Sequence, residues 1–174
     1  PEGKPLNVFK DVPLGADYYE AVTFVVEEGL FNGTSDTTFE PDTTMNRAMF
    51  VTVLGRLDGV DVDNNTKTEF SDVKVGEWYT GSVAWAAKNG IVNGMGNGIY
   101  GVTGTVTVEQ ALTILYRYNG GKDGSLDGAS LADFSDASSV SSWAADAVKW
   151  AVENGIYEGV AGKLNPTSAG SRAL

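Results

Sequence analysis

The chain of 174 residues contains no cysteine and no histidine. The first absence excludes disulfides and thiolate metal centres. The second excludes Ser-His-Asp and Cys-His catalysis and removes the commonest metal ligand. Cations are also scarce: 12 Lys and Arg face 23 Asp and Glu, giving a net charge of -11. Such acidity opposes long-range attraction to nucleic acid or to an anionic membrane. An anionic ligand would need a locally built cationic site, and added salt should screen the general repulsion rather than abolish binding. No apolar run approaches the length of a membrane span, so no membrane insertion is expected. Pro1-Glu2-Gly3-Lys4 shows no signal-peptide pattern, so any such signal is expected to be removed or to lie upstream.

Other chemistries lack their motifs. Asp61-Val62-Asp63-Asn64-Asn65 opens like a calcium loop, but Thr66 stands where Gly is needed and Asp72 where Glu is. It reads as a solvated linker, and no metal or cofactor is expected. No glycine loop has the phosphate-cradling Gly-x-x-x-x-Gly-Lys-Ser/Thr pattern. The acids offer many pairs for glycoside hydrolysis, but nothing singles one out, so the chain is not expected to be an enzyme.

What the sequence does have is a unit written three times. Phe9-Lys10-Asp11-Val12, Phe70-Ser71-Asp72-Val73 and Phe134-Ser135-Asp136-Ala137 open the copies, roughly sixty residues apart. Apolar residues at helical spacing follow, predicting helices over Tyr18–Glu28, Trp78–Asn89 and Trp143–Asn154. Gly29, Gly90 and Gly155 are placed to stop them in the left-handed conformation. Phe24, Trp85 and Trp150 each lie five residues before that Gly and are expected in equivalent core pockets. Glycine-rich loops come next. In them Phe39, Tyr100 and Leu164 should pin each loop to the body, and any extended pairing should be too short for a sheet. The caps Asn46, Thr107 and Ser171 then open a second helix. Thr107 and Gln110 form a full capping box, while Met49 leaves the first box incomplete. Phe50, Val53, Leu54 and Leu57, and then Ala111, Ile114, Leu115 and Tyr118, mark the inward stripes of these second helices. The linkers Asp58–Glu69 and Asn119–Asp133 are polar.

The order Phe-x-Asp-Val, Trp-containing helix, Gly-Ile, Gly-rich loop and Thr-Arg-Ala-Glu-type cap resembles the S-layer homology (SLH) domain. It is carried most clearly by Phe70-Ser71-Asp72-Val73, Trp78-Tyr79, Gly90-Ile91, Phe134-Ser135-Asp136, Trp143-Ala144 and Gly155-Ile156. The resemblance implies an all-α fold of three helix-loop-helix repeats (residues 1–60, 61–120 and 121–174) in a pseudo-threefold spindle with a central helical bundle. It also implies non-covalent anchoring of a surface or S-layer protein to the bacterial cell wall. The ligand would be secondary cell-wall polysaccharide, often pyruvylated, held in the grooves between repeats, and the location extracellular.

The resemblance places the glycan contacts at the caps. Unit 1 keeps the motif's arginine as Arg47, between Asn46 and Met49. Unit 2 has Val108 there, followed by Glu109 and Gln110. Unit 3 has Arg172 but reaches Leu174 without its second helix, so it reads as truncated. Arg47 at a helix start works against the helix dipole by about 0.3–1 kcal/mol, which argues for a carboxylate ligand shared with exposed helix N–H groups. Asn46 and the Gly33 loop would shape that groove, while Thr107, Glu109 and Gln110 would form a neutral or weakly acidic variant. Trp78 and Trp143 are candidates for stacking on sugar rings or, alternatively, for core packing at the helix start. Arg172 repeats the logic of Arg47. A rival reading is an assembly module with degenerate glycan grooves, favoured by Val108 and Met49. At the unfinished third repeat, either further residues continue the helix, or the Pro1–Val8 stretch or a neighbouring chain takes its place by self-association.

Overall fold

In a computed structural model, residues 8–121 and 130–173 are described. Pro1–Asn7, residues 122–129 and Leu174 lie outside that range, as does any second helix of unit 3. The expectation that Pro1–Val8 fills the bundle therefore falls on undescribed residues, except for Val8, which is 56% exposed.

The described residues form five α-helices: α1 (Tyr19–Glu27), α2 (Arg47–Leu57), α3 (Thr80–Lys88), α4 (Val108–Tyr118) and α5 (Ala145–Glu153). The all-α reading holds, and extended pairing among the described residues is confined to isolated bridges. The first helix of each repeat starts one or two residues later than its periodicity predicts. In unit 3 the chain enters α5 through a 3-10 turn over Ser142–Ala144. Gly29, Gly90 and Gly155 stop the three helices at φ of 69°, 69° and 65°. That is the left-handed geometry a glycine cap supplies without strain.

Each opening Asp pins its own loop. Asp11 accepts from the backbone N–H groups of Phe39 and Glu40, Asp72 from Tyr100, Gly101 and Val102, and Asp136 from Leu164 and Asn165. The opening Phe packs on the loop glycine: a Cβ on Gly33 would come within 2.4 Å of the Phe9 ring, and one on Gly94 within 2.7 Å of Phe70. Phe39, Tyr100 and Leu164 are at most 1% exposed, as their place in polar loops implied.

The three repeats join in a ring. The Met45 N–H donates to Gly170 O at 2.8 Å, Gly170 N–H to Val106 O at 2.8 Å, and Val106 N–H to Met45 O at 3.0 Å. These residues each stand one position before a cap, so every repeat gives one bond to a neighbour and takes one from the other. In units 1 and 2 the second helices α2 and α4 follow directly from these residues. Their buried faces are wider than the predicted stripes: α4 buries Val108, Glu109, Ala111, Leu112, Thr113, Ile114 and Tyr116, while Leu57 of α2 is 49% exposed.

First helices pack on the second helix of the preceding repeat, α3 on α2 and α5 on α4. Trp150 of α5 meets Tyr116 of α4, and Trp85 of α3 reaches Tyr118 at the end of α4. Both tryptophans are only half-buried, and Phe24 on α1 is 55% exposed, so the three do not share one core environment. Beside α1, a cleft of about 120 Å³ is lined by Ala21, Val22 and Val25, by Phe50 and Val53 of α2, and by Ser171–Ala173.

Candidate functional site

Helix α2 begins where Asn46, in extended conformation, accepts the Met49 N–H on its side-chain oxygen at 2.8 Å. The next two N–H groups are also taken, by the neighbouring repeat: Arg47 N–H donates to Gly104 O at 2.9 Å and Ala48 N–H to Val102 O at 3.4 Å. Equivalent bonds link Val108 to Ser168, Glu109 to Pro166, Arg172 to Thr43 and Ala173 to Pro41. The expected pairing of Arg47 with exposed helix N–H donors is therefore corrected. The ring that joins the repeats uses those donors, and only the guanidinium remains for a ligand.

That guanidinium is held on one side. Arg47 Nε donates to Tyr100 O at 2.9 Å, and the Tyr100 hydroxyl donates back to Arg47 O at 3.0 Å. The guanidinium carbon lies 4.8 Å from the centre of the Tyr100 ring, within cation–π range. Burial pushes the Tyr100 pKa up, so its hydroxyl stays a donor. The two terminal amino groups of Arg47 have no protein partner among the described residues. The side chain lines a cavity of about 380 Å³ together with Asn93, Gly94, Met95, Gln110, Arg117 and Trp143. Trp143 is 50% exposed, which removes the core-packing alternative for it. The cavity thus joins three repeats: an arginine from the first, a loop and helix from the second, and an indole from the third.

Of the sequence candidates, Arg47, Gln110 and Trp143 come together here. The others do not. Asn46 and Thr107 are spent on helix caps, the latter in a capping box with Gln110. Glu109 is 4% exposed and accepts both the N–H and the hydroxyl of Ser141 at 2.9 Å. It fixes the start of unit 3's first helix and is withdrawn from any ligand. Gly33 lies in the loop that Arg172, not Arg47, reaches: Arg172 Nε donates to Phe39 O at 2.8 Å and one of its terminal amino groups to Asn32 O at 2.7 Å. Arg172 also lies against the Phe31 and Phe39 rings, 5.0 and 4.4 Å from their centres, and burial lowers its pKa against the pull of Glu40 and Asp11. Trp78 is 52% exposed and meets Tyr79 edge-on, away from the Arg47 cavity. The sequence missed Arg117, Asn93 and Met95 as lining residues. Arg117 could have been found as the cation in the last turn of α4, seven residues after Gln110 and so on the same side.

A larger groove, of about 600 Å³, lies over α3 beneath the linker that carries Asp61, Asp63 and Glu69. Asn64 ties that linker to the helix by accepting the Gly81 N–H at 3.0 Å. Its rim mixes these acids with Lys67 and Lys88, whereas the Arg47 cavity is lined by two arginines and no acid and is the better receptor for an anion. No helix among the described residues is long and apolar enough to cross a membrane.

The S-layer homology domain model matches the chain three times, over residues 8–49, 69–112 and 133–173. The chain belongs to the S-layer homology domain family. Its three SLH repeats coincide with the three units of the ring. Among curated relatives, the S-layer protein sap of Bacillus anthracis is 28% identical over 96% of this chain and 20% of its own length. The amylopullulanase of Thermoanaerobacterium thermosulfurigenes is 31% identical over 89% of this chain and 8% of its own. The surface-layer 125 kDa protein of Lysinibacillus sphaericus is 30% identical over 80% of this chain and 11% of its own. This SLH chain therefore spans a fifth or less of these relatives. The same module accompanies both S-layer proteins and an enzyme.

Proposed function

We propose that this SLH triplet is a non-enzymatic anchoring module that holds a surface or S-layer protein on the bacterial cell wall by binding an anionic, pyruvylated secondary cell-wall polysaccharide. The ring of bonds among Met45, Val106 and Gly170 supports a spindle of three repeats, taken as residues 1–60, 61–120 and 121–174, around the second helices. The observation that carries the binding reading is Arg47. Its Nε and its ring contact are fixed by Tyr100, while its terminal amino groups are left in a cavity that also holds Gln110 and the half-exposed Trp143. A pre-oriented guanidinium offers a planar fork to a carboxylate, Gln110 offers an amide to sugar hydroxyls, and an indole face suits the apolar face of a pyranose. The enzymatic relatives fit the same reading, with the SLH part as the tether and the catalysis elsewhere.

Sedimentation with purified Gram-positive wall sacculi tests this, comparing the wild type with Arg47→Ala. Loss of co-sedimentation in the variant is expected, with the wild-type fold retained by circular dichroism. Equal sedimentation of the two proteins would remove Arg47 from the site. The exposed Phe24 and the apolar cleft beside α1 favour a second reading, assembly through protein–protein contacts. Concentration-dependent oligomers by light scattering, without sedimentation on sacculi, would favour that reading instead.

A further inference from the structure

The three loops that receive the cap segment of a neighbouring repeat are closed at one equivalent carbonyl. In unit 2 it is Tyr100 O, which accepts from Arg47 Nε at 2.9 Å, and in unit 1 it is Phe39 O, which accepts from Arg172 Nε at 2.8 Å. In unit 3 it is Leu164 O. The residue placed to reach it is Val108, which has no donor and is 4% exposed in the cluster with Leu112 and Leu164. The carbonyl is satisfied all the same, because the hydroxyl of Tyr157 donates to it at 2.8 Å. Tyr157 follows Gly155-Ile156, the place held by Phe31 after Gly29-Leu30 and by Val92 after Gly90-Ile91. Neither Phe31 nor Val92 has a polar tip. The hydroxyl occurs in the repeat whose incoming arginine is missing.

We propose that Tyr157 substitutes for that arginine in closing the loop, so that the Val108 junction lacks an arginine and receives no anionic sugar unit, and charged units go to the Arg47 and Arg172 junctions. The proposal rests on the anchoring reading above for its ligand, but its structural half stands alone. A buried carbonyl needs one donor, and a neutral hydroxyl at hydrogen-bond distance meets that need as fully as a guanidinium does. Burial raises the Tyr157 pKa, with Asp136 adding to the effect, so the donor persists through neutral and mildly alkaline pH. Loop closure therefore does not require a positive charge, and the charge kept at Arg47 and Arg172 is surplus to it. The nearby cation Lys163 is exposed and lies beside Asp136, whose carboxyl it helps to hold below its ordinary pKa, so it adds little net charge to the junction.

Two variants test this, read by thermal unfolding and by binding to wall sacculi with and without mild-acid removal of their ketal-linked pyruvate. Tyr157→Phe deletes only the hydroxyl. It should lower Tm by about 2–4 °C, as one lost hydrogen bond does in a chain of this size, and leave sacculus affinity unchanged. An unchanged Tm would show that the hydroxyl does not hold the loop. A lower affinity at unchanged Tm would make Tyr157 a glycan contact and overturn the proposal. Val108→Arg combined with Tyr157→Phe should restore the Tm and raise affinity several-fold, on the order of one charge-assisted contact, for untreated sacculi only. A restored Tm with no gain in affinity would refute the separation of the two duties. If the wild type itself does not bind sacculi, the anchoring reading fails, while the two Tm values still decide the role of Tyr157.

Discussion

The Arg47 and Val108 junctions occupy equivalent places between successive repeats, yet they are built from opposite chemistry. At the first, an arginine crosses from one repeat to close the next repeat's loop and leaves two amino groups in a cavity. At the second, a buried valine crosses and the loop is closed from within by Tyr157. Both junctions keep the same backbone bonds, Arg47 to Gly104 and Val108 to Ser168. The backbone ring holds the repeats together whichever side chain follows, which frees the side chain to differ. On the anchoring reading proposed above, the difference between the junctions is a difference in what they bind.

The largest effect is expected where both junctions depend on the same device. Asp72 anchors the loop that Arg47 reaches, through three backbone N–H groups, and Asp136 anchors the loop beside Val108 through two. Asp72→Ala should cost about 2–3 kcal/mol, since bonds to a carboxylate are the stronger kind and the freed N–H groups are partly buried. Asp136→Ala should cost less. Equal costs in chemical denaturation would show that the number of bonds does not matter and that the two loops are held alike.

Binding should separate the junctions next. Arg47→Ala is expected to weaken sacculus binding roughly 10–100-fold, the loss of one charge-assisted contact, and Arg172→Ala less, because one of its terminal amino groups already serves Asn32. A larger loss at Arg172 would reverse the ranking and move the principal site to the Phe31–Phe39 loop. Titration of sacculi with each variant decides between them.

Acid should act on all three loops at once. Burial works to raise the pKa of Asp11 and of Asp72, but the N–H groups of Phe39 and Glu40, and of Tyr100, Val102 and Gly101, outweigh it and hold both below 3.8. For Asp136 the Leu164 N–H is the main cause of a lowered pKa. A carboxyl depressed in the folded state contributes stability that is full above about pH 5 and is lost as pH falls through the folded pKa. Thermal unfolding from pH 6 to pH 2.5 should therefore show Tm falling below about pH 4. Asp136→Asn should show a shallower fall than wild type.

Much of this frame was legible in the sequence because local signals and long-range ones agree. The glycine stops, the Asn46 and Thr107 caps and the pinning residues Phe39, Tyr100 and Leu164 follow from short-range rules, and each sits where those rules put it. The site was less legible because its partners are distant in the chain. Nothing near Glu109 announces Ser141, and nothing near Arg172 announces Asn32. The helix N–H donors read as free because a single repeat does not show that its neighbour consumes them. Tyr157 was visible in principle: lining up the three copies shows a polar tip only beside the copy that meets Val108.

The smallest effect concerns the two exposed tryptophans, which the repeat pattern treats as equals. Trp143 lines the Arg47 cavity, whereas Trp78 stands outside it against Tyr79. Both are about half exposed, so replacing either should change stability little. Trp143→Ala should weaken sacculus binding by about 1 kcal/mol, roughly fivefold, as the loss of one aromatic platform does. Trp78→Ala should leave binding at the Arg47 cavity unaltered. Adding each change to Arg47→Ala sharpens the point. Trp143 should contribute less once the arginine is gone, because both then act on the same sugar unit, while the effect of Trp78 should be independent of Arg47. Additive losses for Trp143 and Arg47 would mean that they contact separate units of the glycan.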